Sequence, residues 1–297
     1  MKTAKIVEPI AGDKLYQQRA RLALPLLVRQ AEAGVPIFYS SLAAELGMPN
    51  PRNLNFVLGS IGQTMERLSK AWKQKVPPVQ CLVINKATGL PGEGIGWFLV
   101  KKEDYAALPL RQKRAIVDAE LSHVYTFPRW RNVLATLSLS PASPDFGAVI
   151  AKASGGLGGG ESDQHKALKE HVAGNPSVVG LPAATPTGET EFPLPSGDFL
   201  DVSFAGDDMW VAAEVKSAIS DEADIVRGLF QCVKYRAVME AVMRSEGRPQ
   251  SARAVLVLEA RLPPSLLPLR NLLGVEVVEY ITSTAGNSGS SSGLISS

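Results

Sequence analysis

Only two cysteines, Cys81 and Cys232, and three histidines occur in this chain of 297 residues. The cysteines lie in separate segments with no metal-ligand spacing, which suits a reducing cytoplasm and speaks against a disulfide framework. No apolar run approaches the ~18 residues of a membrane-spanning helix, and no basic-apolar-small leader is evident, so a cytoplasmic protein is expected. The formal net charge is only +2. No global field therefore drives the chain onto nucleic acid, and any such binding has to come from local basic patches. With 45% apolar and 20% charged residues, the composition is that of a soluble globular protein with room for two domains.

What is present concentrates in Ser196–Tyr235. Phe199–Phe204 alternates apolar and polar residues with period two, the pattern of a half-buried strand. Met209–Val215 is nearly continuous in apolar residues and reads as a central strand. Gly206-Asp207-Asp208 between them has the chemistry of a tight hairpin turn. Asp201 lies in the first strand and Glu214 ends the second. Lys216 follows Glu214 by two, so both side chains leave one face, which Asp201 can reach from the neighbouring strand. Two carboxylates and an ammonium converge favourably only when a divalent cation or an anionic substrate joins them. Hard oxygen ligands without Cys or His favour Mg²⁺ or Mn²⁺ over Zn²⁺. The lysine would then orient or deprotonate a water, or stabilise charge on a phosphate.

The spacing D-x12-E-x-K resembles the PD-(D/E)XK nuclease superfamily. Downstream, Asp224–Arg244 reads as a helix carrying Gln231-Cys232-Val233-Lys234-Tyr235, which is similar to the Q-x-x-x-Y signature of the RecB-like branch. Gln231 and Tyr235 are four apart and share a helix face. No proline precedes the acid: Leu200 stands before Asp201, which is preferred to Asp198 because it lies inside the strand. The resemblance implies a restriction-endonuclease-like α/β core with a mixed sheet. It also implies Mg²⁺ (or Mn²⁺) held by Asp201, Glu214 and the main-chain carbonyl of Val215, and a water positioned by Lys216. Gln231 and Tyr235 would support the site or contact the scissile strand. A helix over Glu161–Val172 is expected ahead of the strands. By the same resemblance its Glu161 would help bind the cation, with Glu170 as runner-up, and His165 shares its face. Arg253–Ala260 and Val275–Ile281 read as further strands, separated by a short proline-broken helix over Leu262–Leu273.

In the first half, Lys14–Ala33 has a helical pattern with Leu15, Leu22, Leu26 and Leu27 apolar, Pro25 as an interruption and Gly34 as a stop. Ser40–Leu46 and Arg52–Leu68 read as helices flanking a Gly/Pro/Asn turn, capped by Ser40 or Ser41 and by Asn50. A strand over Val79–Asn85 and a Gly-rich loop then make a winged helix-turn-helix plausible. Phe38-Tyr39-Ser40-Ser41-Leu42-Ala43-Ala44-Glu45-Leu46-Gly47, Pro51–Asn55 and Leu58-Gly59 are similar to the DNA-binding domain of alkylguanine-DNA alkyltransferases and their catalytically dead relatives. That resemblance implies DNA docking through Arg52 and Asn53, with Asn55 and Lys70 nearby. It puts Cys81 at the family's reactive cysteine, but Leu82 replaces the activating histidine, and a buried structural thiol is the reading from the residues themselves. Trp97-Phe98 reads as a core anchor, and Asp104–Val124 as a helix. Tyr125–Arg131 mixes aromatics with arginines, which suits nucleic-acid stacking or packing.

The organisation expected is a DNA-binding domain over 1–137, a flexible Ser/Pro/Gly linker over 138–160, a nuclease domain over 161–282 and a disordered tail over 283–297. Asn175–Thr190 reads as an irregular loop. The function expected is metal-dependent hydrolysis of DNA, in defence against foreign DNA or in repair. The competing expectation is a non-catalytic DNA-binding or scaffold protein with a degenerate nuclease fold. Many hydrolases of this fold cut both strands as homodimers, and nothing in this chain marks a self-association surface.

Overall fold

The computed structural model describes residues 7–100, 105–142, 144–154, 162–206, 209–248 and 251–282. Among these, ten helices and a five-stranded mixed sheet in the C-terminal half make an α/β protein. The chain divides into two units. One runs to Pro144 and also takes in Leu267–Gly274; the other comprises Asp145–Leu266 and the chain from Val275 onward.

The first unit opens with α1 (Leu15–Ala33), β1 (Ile37–Phe38), α2 (Tyr39–Glu45) and α3 (Leu54–Trp72). It continues with β2 (Val83–Ile84), α4 (Gly96–Leu99), α5 (Leu110–Thr126) and α6 (Trp130–Thr136). Ala20, Ala23, Leu24, Leu27 and Val28 of α1 share one apolar core with Leu54, Val57, Ile61 and Met65 of α3. These recur every three or four residues, the spacing of one helix face. The core face excludes Leu15 and Leu22, which are exposed. Pro25 does not interrupt α1; burial of the flanking Leu24 and Leu27 offsets the backbone hydrogen bond a proline deletes. Gly34, with φ 69°, ends the helix in the left-handed conformation its sequence signals.

Ser40 and Ser41 lie inside α2 rather than capping it. The Asn50 side chain accepts a hydrogen bond from the Arg52 backbone N–H at 3.0 Å, capping a 3₁₀ turn over Pro51–Asn53 that feeds α3. The strand expected over Val79–Asn85 is instead a 3₁₀ turn, Val79–Leu82, followed by β2, which pairs parallel with β1. All four residues of the turn are buried, so the apolar character of Val79, Cys81 and Leu82 reports burial, while Pro77-Pro78 just ahead remove two backbone donors. The Gly-rich loop folds into turns, a 3₁₀ segment (Glu93–Ile95) and α4; no antiparallel wing hairpin forms among the described residues.

The helix read over 104–124 begins only at Leu110, after Pro109. Trp97 is largely exposed and does not anchor the core; Phe98 does approach closely, since a Cβ on Gly62 would stand 2.3 Å from its Cζ. The aromatic and arginine run serves packing within this unit. Trp130 Nε1 donates to the Val124 carbonyl at 2.8 Å, Arg131 pairs with Glu32, and Arg129 stacks on Trp72.

The second unit contains α7 (Gly147–Ser154), α8 (Asp163–Gly174), β3 (Glu189–Pro193), β4 (Phe199–Ala205), β5 (Met209–Lys216), α9 (Glu222–Ser245), β6 (Ser251–Leu258) and, after α10 (Leu267–Leu273), β7 (Glu276–Val278). The helix α7 falls within the stretch read as linker. Its Ala153 carbonyl accepts a hydrogen bond from Arg227 of α9 at 3.0 Å. The stretch read as an irregular loop holds a 3₁₀ turn, Pro176–Val179, and runs into β3. Glu161, the turn residues Asp207 and Asp208, and the tail over 283–297 lie outside the described residues.

The sheet order is β3-β4-β5-β6-β7, with β3, β4 and β5 antiparallel in succession and β5, β6 and β7 parallel. Alternation along β5 sorts its two faces. Val211, Ala213 and Val215 join Leu168 and Val172 of α8 in one core. Trp210 and Ala212 join Tyr235 and Met239 of α9 in another. Glu214 and Lys216 continue the second series, so they emerge on the α9 face.

The helix α10 belongs with the first unit. Asn271 Nδ2 donates to Glu45 Oε2 at 2.7 Å, Gln30 Nε2 donates to the Asn271 carbonyl at 2.8 Å, and Arg29 forms a bidentate pair with Glu45. No helix among the described residues is long and apolar enough to cross a membrane.

Candidate functional site

The antiparallel ladder between β4 and β5 ends at Val202↔Ala213. One step further, β5 no longer finds a backbone partner on β4. The Val215 N–H instead donates to the side chain of Asp201, 2.8 Å to Oδ2. In an extended strand a residue's N–H and C=O leave by the same edge, so the Val215 carbonyl also faces the end of β4. Asp201 is thus fixed beside the two residues that flank Val215.

Those two are paired to each other. Lys216 Nζ donates to Glu214 Oε1 at 2.7 Å, and Glu214 is only 2% exposed. Its other oxygen, Oε2, is buried and receives no hydrogen bond among the described residues. Burial, reinforced by the charge of Asp201 and partly offset by Lys216, pushes the Glu214 carboxyl up to about 7. Burial pulls Lys216 down, but the Glu214 carboxylate more than reverses this, so the amine is held above its ordinary value and stays an ammonium. For Asp201, burial acts upward and is outweighed by His165, the Val215 N–H and Lys216, leaving the acid below its ordinary range.

Two helices close the site. On α9, Gly228 lies against β5, where an added Cβ would stand 3.1 Å from Lys216 Cε and 3.5 Å from Glu214 Cγ. No side chain fits there unless Lys216 and Leu256 shift. One turn on, Gln231 Nε2 donates to the Tyr235 hydroxyl at 3.3 Å, and that hydroxyl donates to the Phe199 carbonyl at 3.0 Å. Gln231 and Tyr235 therefore tie α9 to the start of β4, two residues from Asp201. Tyr235 stands near Glu214 but gives its hydrogen to Phe199; burial, and then the Glu214 charge, push its phenol far up.

On α8, whose N-cap Ser162 accepts from the His165 N–H at 3.2 Å, a histidine and a lysine face Asp201. His165 Nε2 stands 3.7 Å and Lys169 Nζ 3.8 Å from Asp201 Oδ1. Lys169 also pairs with Glu191 of β3. Glu170, the runner-up helix acid, is exposed to solvent. Asp198 pairs with Lys234 of α9 at 2.8 Å and takes no part in the Asp201 cluster. Lys169, Glu191 and Gly228 are the site residues that sequence reasoning missed. The recurrence of His165 and Lys169 on one helix face was the available signal.

A divalent ion fits this donor set in part. Asp201, the buried unpaired oxygen of Glu214 and the edge-facing Val215 carbonyl are hard oxygen donors in one place. No cluster of three or more His, Cys, Asp or Glu residues suited to a metal occurs among the described residues.

In the first unit, Arg52, Asn53 and Asn55 are exposed together at the start of α3. Lys70 is exposed in the last turn of α3, so the helical rise puts it about 22 Å from Asn55 rather than nearby. Cys81 is fully buried, and burial pushes its thiol far up, the opposite of a reactive cysteine. Compared with protein-family models, curated proteins and solved structures, the chain matches none.

Proposed function

We propose that the second unit is a divalent-metal-dependent nuclease with a restriction-endonuclease-like core, hydrolysing phosphodiester bonds of DNA, and that α2 and α3 of the first unit dock DNA. The observation that carries this reading is the Val215 N–H to Asp201 hydrogen bond, which holds Asp201 beside the Glu214–Lys216 pair. The element order supports it: a helix, three antiparallel strands, a helix and a parallel strand follow the succession that the nuclease resemblance implies. Arg52, Asn53 and Asn55 offer hydrogen-bond donors at an exposed helix start, the geometry with which such helices meet DNA.

Asp201, Glu214 and the Val215 carbonyl would hold the ion, which when bound supplies Lewis acidity toward the phosphate and its attacking water. Lys216 acts as a charged donor. Held on Glu214 Oε1, its ammonium can orient a water toward the phosphorus and offset negative charge as it develops. Gln231 and Tyr235 keep β4 and α9 in register, so that Asp201 and Lys216 face one spot.

The alternative, a non-catalytic DNA-binding or scaffold protein, is favoured by one observation: the Lys169 ammonium of α8 already stands against Asp201. Incubation of supercoiled plasmid, linear duplex, single-stranded DNA and RNA with Mg²⁺, Mn²⁺ or EDTA separates the two. Cleavage of DNA with metal and none with EDTA is expected; intact substrates in every metal condition reject the nuclease.

A further inference from the structure

Three carboxylates lie in one row across adjacent strands. The pairs Thr190↔Val202 and Phe192↔Leu200 bracket Glu191 and Asp201, which puts these two opposite each other on β3 and β4. The next step beyond Val202↔Ala213 brings Asp201 beside Glu214 on β5. Like charges facing each other across strands destabilise a sheet, and Glu191 adds backbone strain, with φ 54° in a strand. Two ammoniums offset this row: Lys216 of β5 on Glu214 Oε1 and, from α8, Lys169. Lys169, its side chain only 5% exposed, pairs with Glu191 and stands 3.8 Å from Asp201 Oδ1. At the other end, the buried Glu214 Oε2 has no partner among the described residues. The Glu191–Asp201 side of the row is thus filled by an ammonium of α8, whereas on the Asp201–Glu214 side Lys216 takes Glu214 Oε1 and leaves Oε2 without a hydrogen bond among the described residues.

We propose that Lys169 is a resident cation in the Glu191–Asp201 slot and restricts the site to a single divalent ion on the Asp201–Glu214 side. The inference rests on the metal-dependent reading above and specifies its stoichiometry. Lys169 is a positioning residue: its charge fixes Asp201 and Glu191 and excludes a second ion by occupying the place that ion would take. Replacing the ammonium with a neutral amide leaves two facing carboxylates, which then attract a cation from solution.

The test is Mn²⁺ binding to the full chain, counted by calorimetry and by electron paramagnetic resonance, with circular dichroism as the check on folding. Wild type is expected to take up one Mn²⁺ per chain with the spectrum of an isolated ion. Lys169→Gln is expected to take up two, with the line broadening of a spin-coupled pair. Lys169→Arg, which keeps the charge, stays at one, and Lys169→Gln combined with Glu191→Gln returns to one. Two Mn²⁺ in wild type, or an unchanged count of one in folded Lys169→Gln, overturns the proposal. Should Lys169→Gln fail to fold, wild type and Lys169→Arg decide it, since two ions in either is fatal. Two ions with metal-dependent cleavage remove only this inference, whereas no Mn²⁺ in wild type removes the metal reading together with it.

Discussion

Gly228 of α9 sits directly against Lys216 of β5: a side chain begun at Gly228 would meet Lys216 Cε at 3.1 Å and Leu256 Cδ1 at 2.9 Å. The helix comes this close because one residue at the contact has no side chain. The lysine ammonium is thereby pressed toward Glu214 instead of turning into solvent. Gly228→Ala is expected to overpack this contact and cost about 1–3 kcal/mol of stability, while cleavage falls by more than the loss of folded protein accounts for. Chemical denaturation and cleavage rates on the same preparation check both parts. A variant with unchanged activity would show that Lys216 has room to spare.

The pH dependence of stability follows from Glu214. Its folded carboxyl titrates near 7 against an ordinary value of 4.5, so the native state holds a proton that the unfolded chain gives up. That contribution is complete below about pH 4.5 and is lost as pH rises through 7. At full extent it amounts to about 3 kcal/mol. Asp201 has the opposite sign: its acid is held below the ordinary 3.8, so its contribution is present above that value and lost as pH falls. Denaturation in EDTA between pH 5 and 8 should show declining stability, and Glu214→Gln should flatten the decline. Mg²⁺ needs the ionised acid, so its affinity should climb with pH up to about 7 and then level.

Tyr235→Phe removes the hydroxyl that ties α9 to the Phe199 carbonyl. The carbonyl and Gln231 both lose a partner, for an expected cost of about 1–3 kcal/mol. Because Tyr235 acts on β4 next to Asp201, the variant should also bind Mn²⁺ more weakly while keeping its fold. Thermal denaturation and calorimetry read the two effects separately.

Strand alternation and helix spacing made part of this site legible. Period two puts Glu214 and Lys216 on one face, and they are ion-paired; spacing of four puts Gln231 and Tyr235 in hydrogen-bond contact. These are local rules, each settled within a few residues of chain. Glu191 escaped because its place opposite Asp201 needs the register of β3 on β4, and β3 begins in a stretch dense in Pro, Gly and Thr; Lys169 reaches both acids from α8 by tertiary packing. Lys70 was expected near Arg52 and Asn53, but α3 runs on to Trp72 and its length separates them. Val79–Asn85 read as a strand although its first four residues form a 3₁₀ turn, because a buried turn and a buried strand carry similar composition.

The return of α10 to the first unit was equally illegible, since it rests on polar contacts between residues more than two hundred positions apart in sequence. Arg29 and Glu45 are both buried there, at 2.6 Å. Removing one member of such a pair strands the other charge, so Arg29→Ala should cost about 3–5 kcal/mol. Asn271→Ala, which leaves the ion pair intact, should cost about 1–3 kcal/mol. Urea denaturation of both variants checks the order; equal costs would place the network in solvent.

Cleavage of DNA in Mg²⁺ by wild type and by Lys216→Ala tests the central claim most directly. Activity in the variant is expected to fall by about 10²–10⁴-fold, with the circular dichroism spectrum and DNA affinity retained. A folded Lys216→Ala that cuts at the wild-type rate would contradict the account.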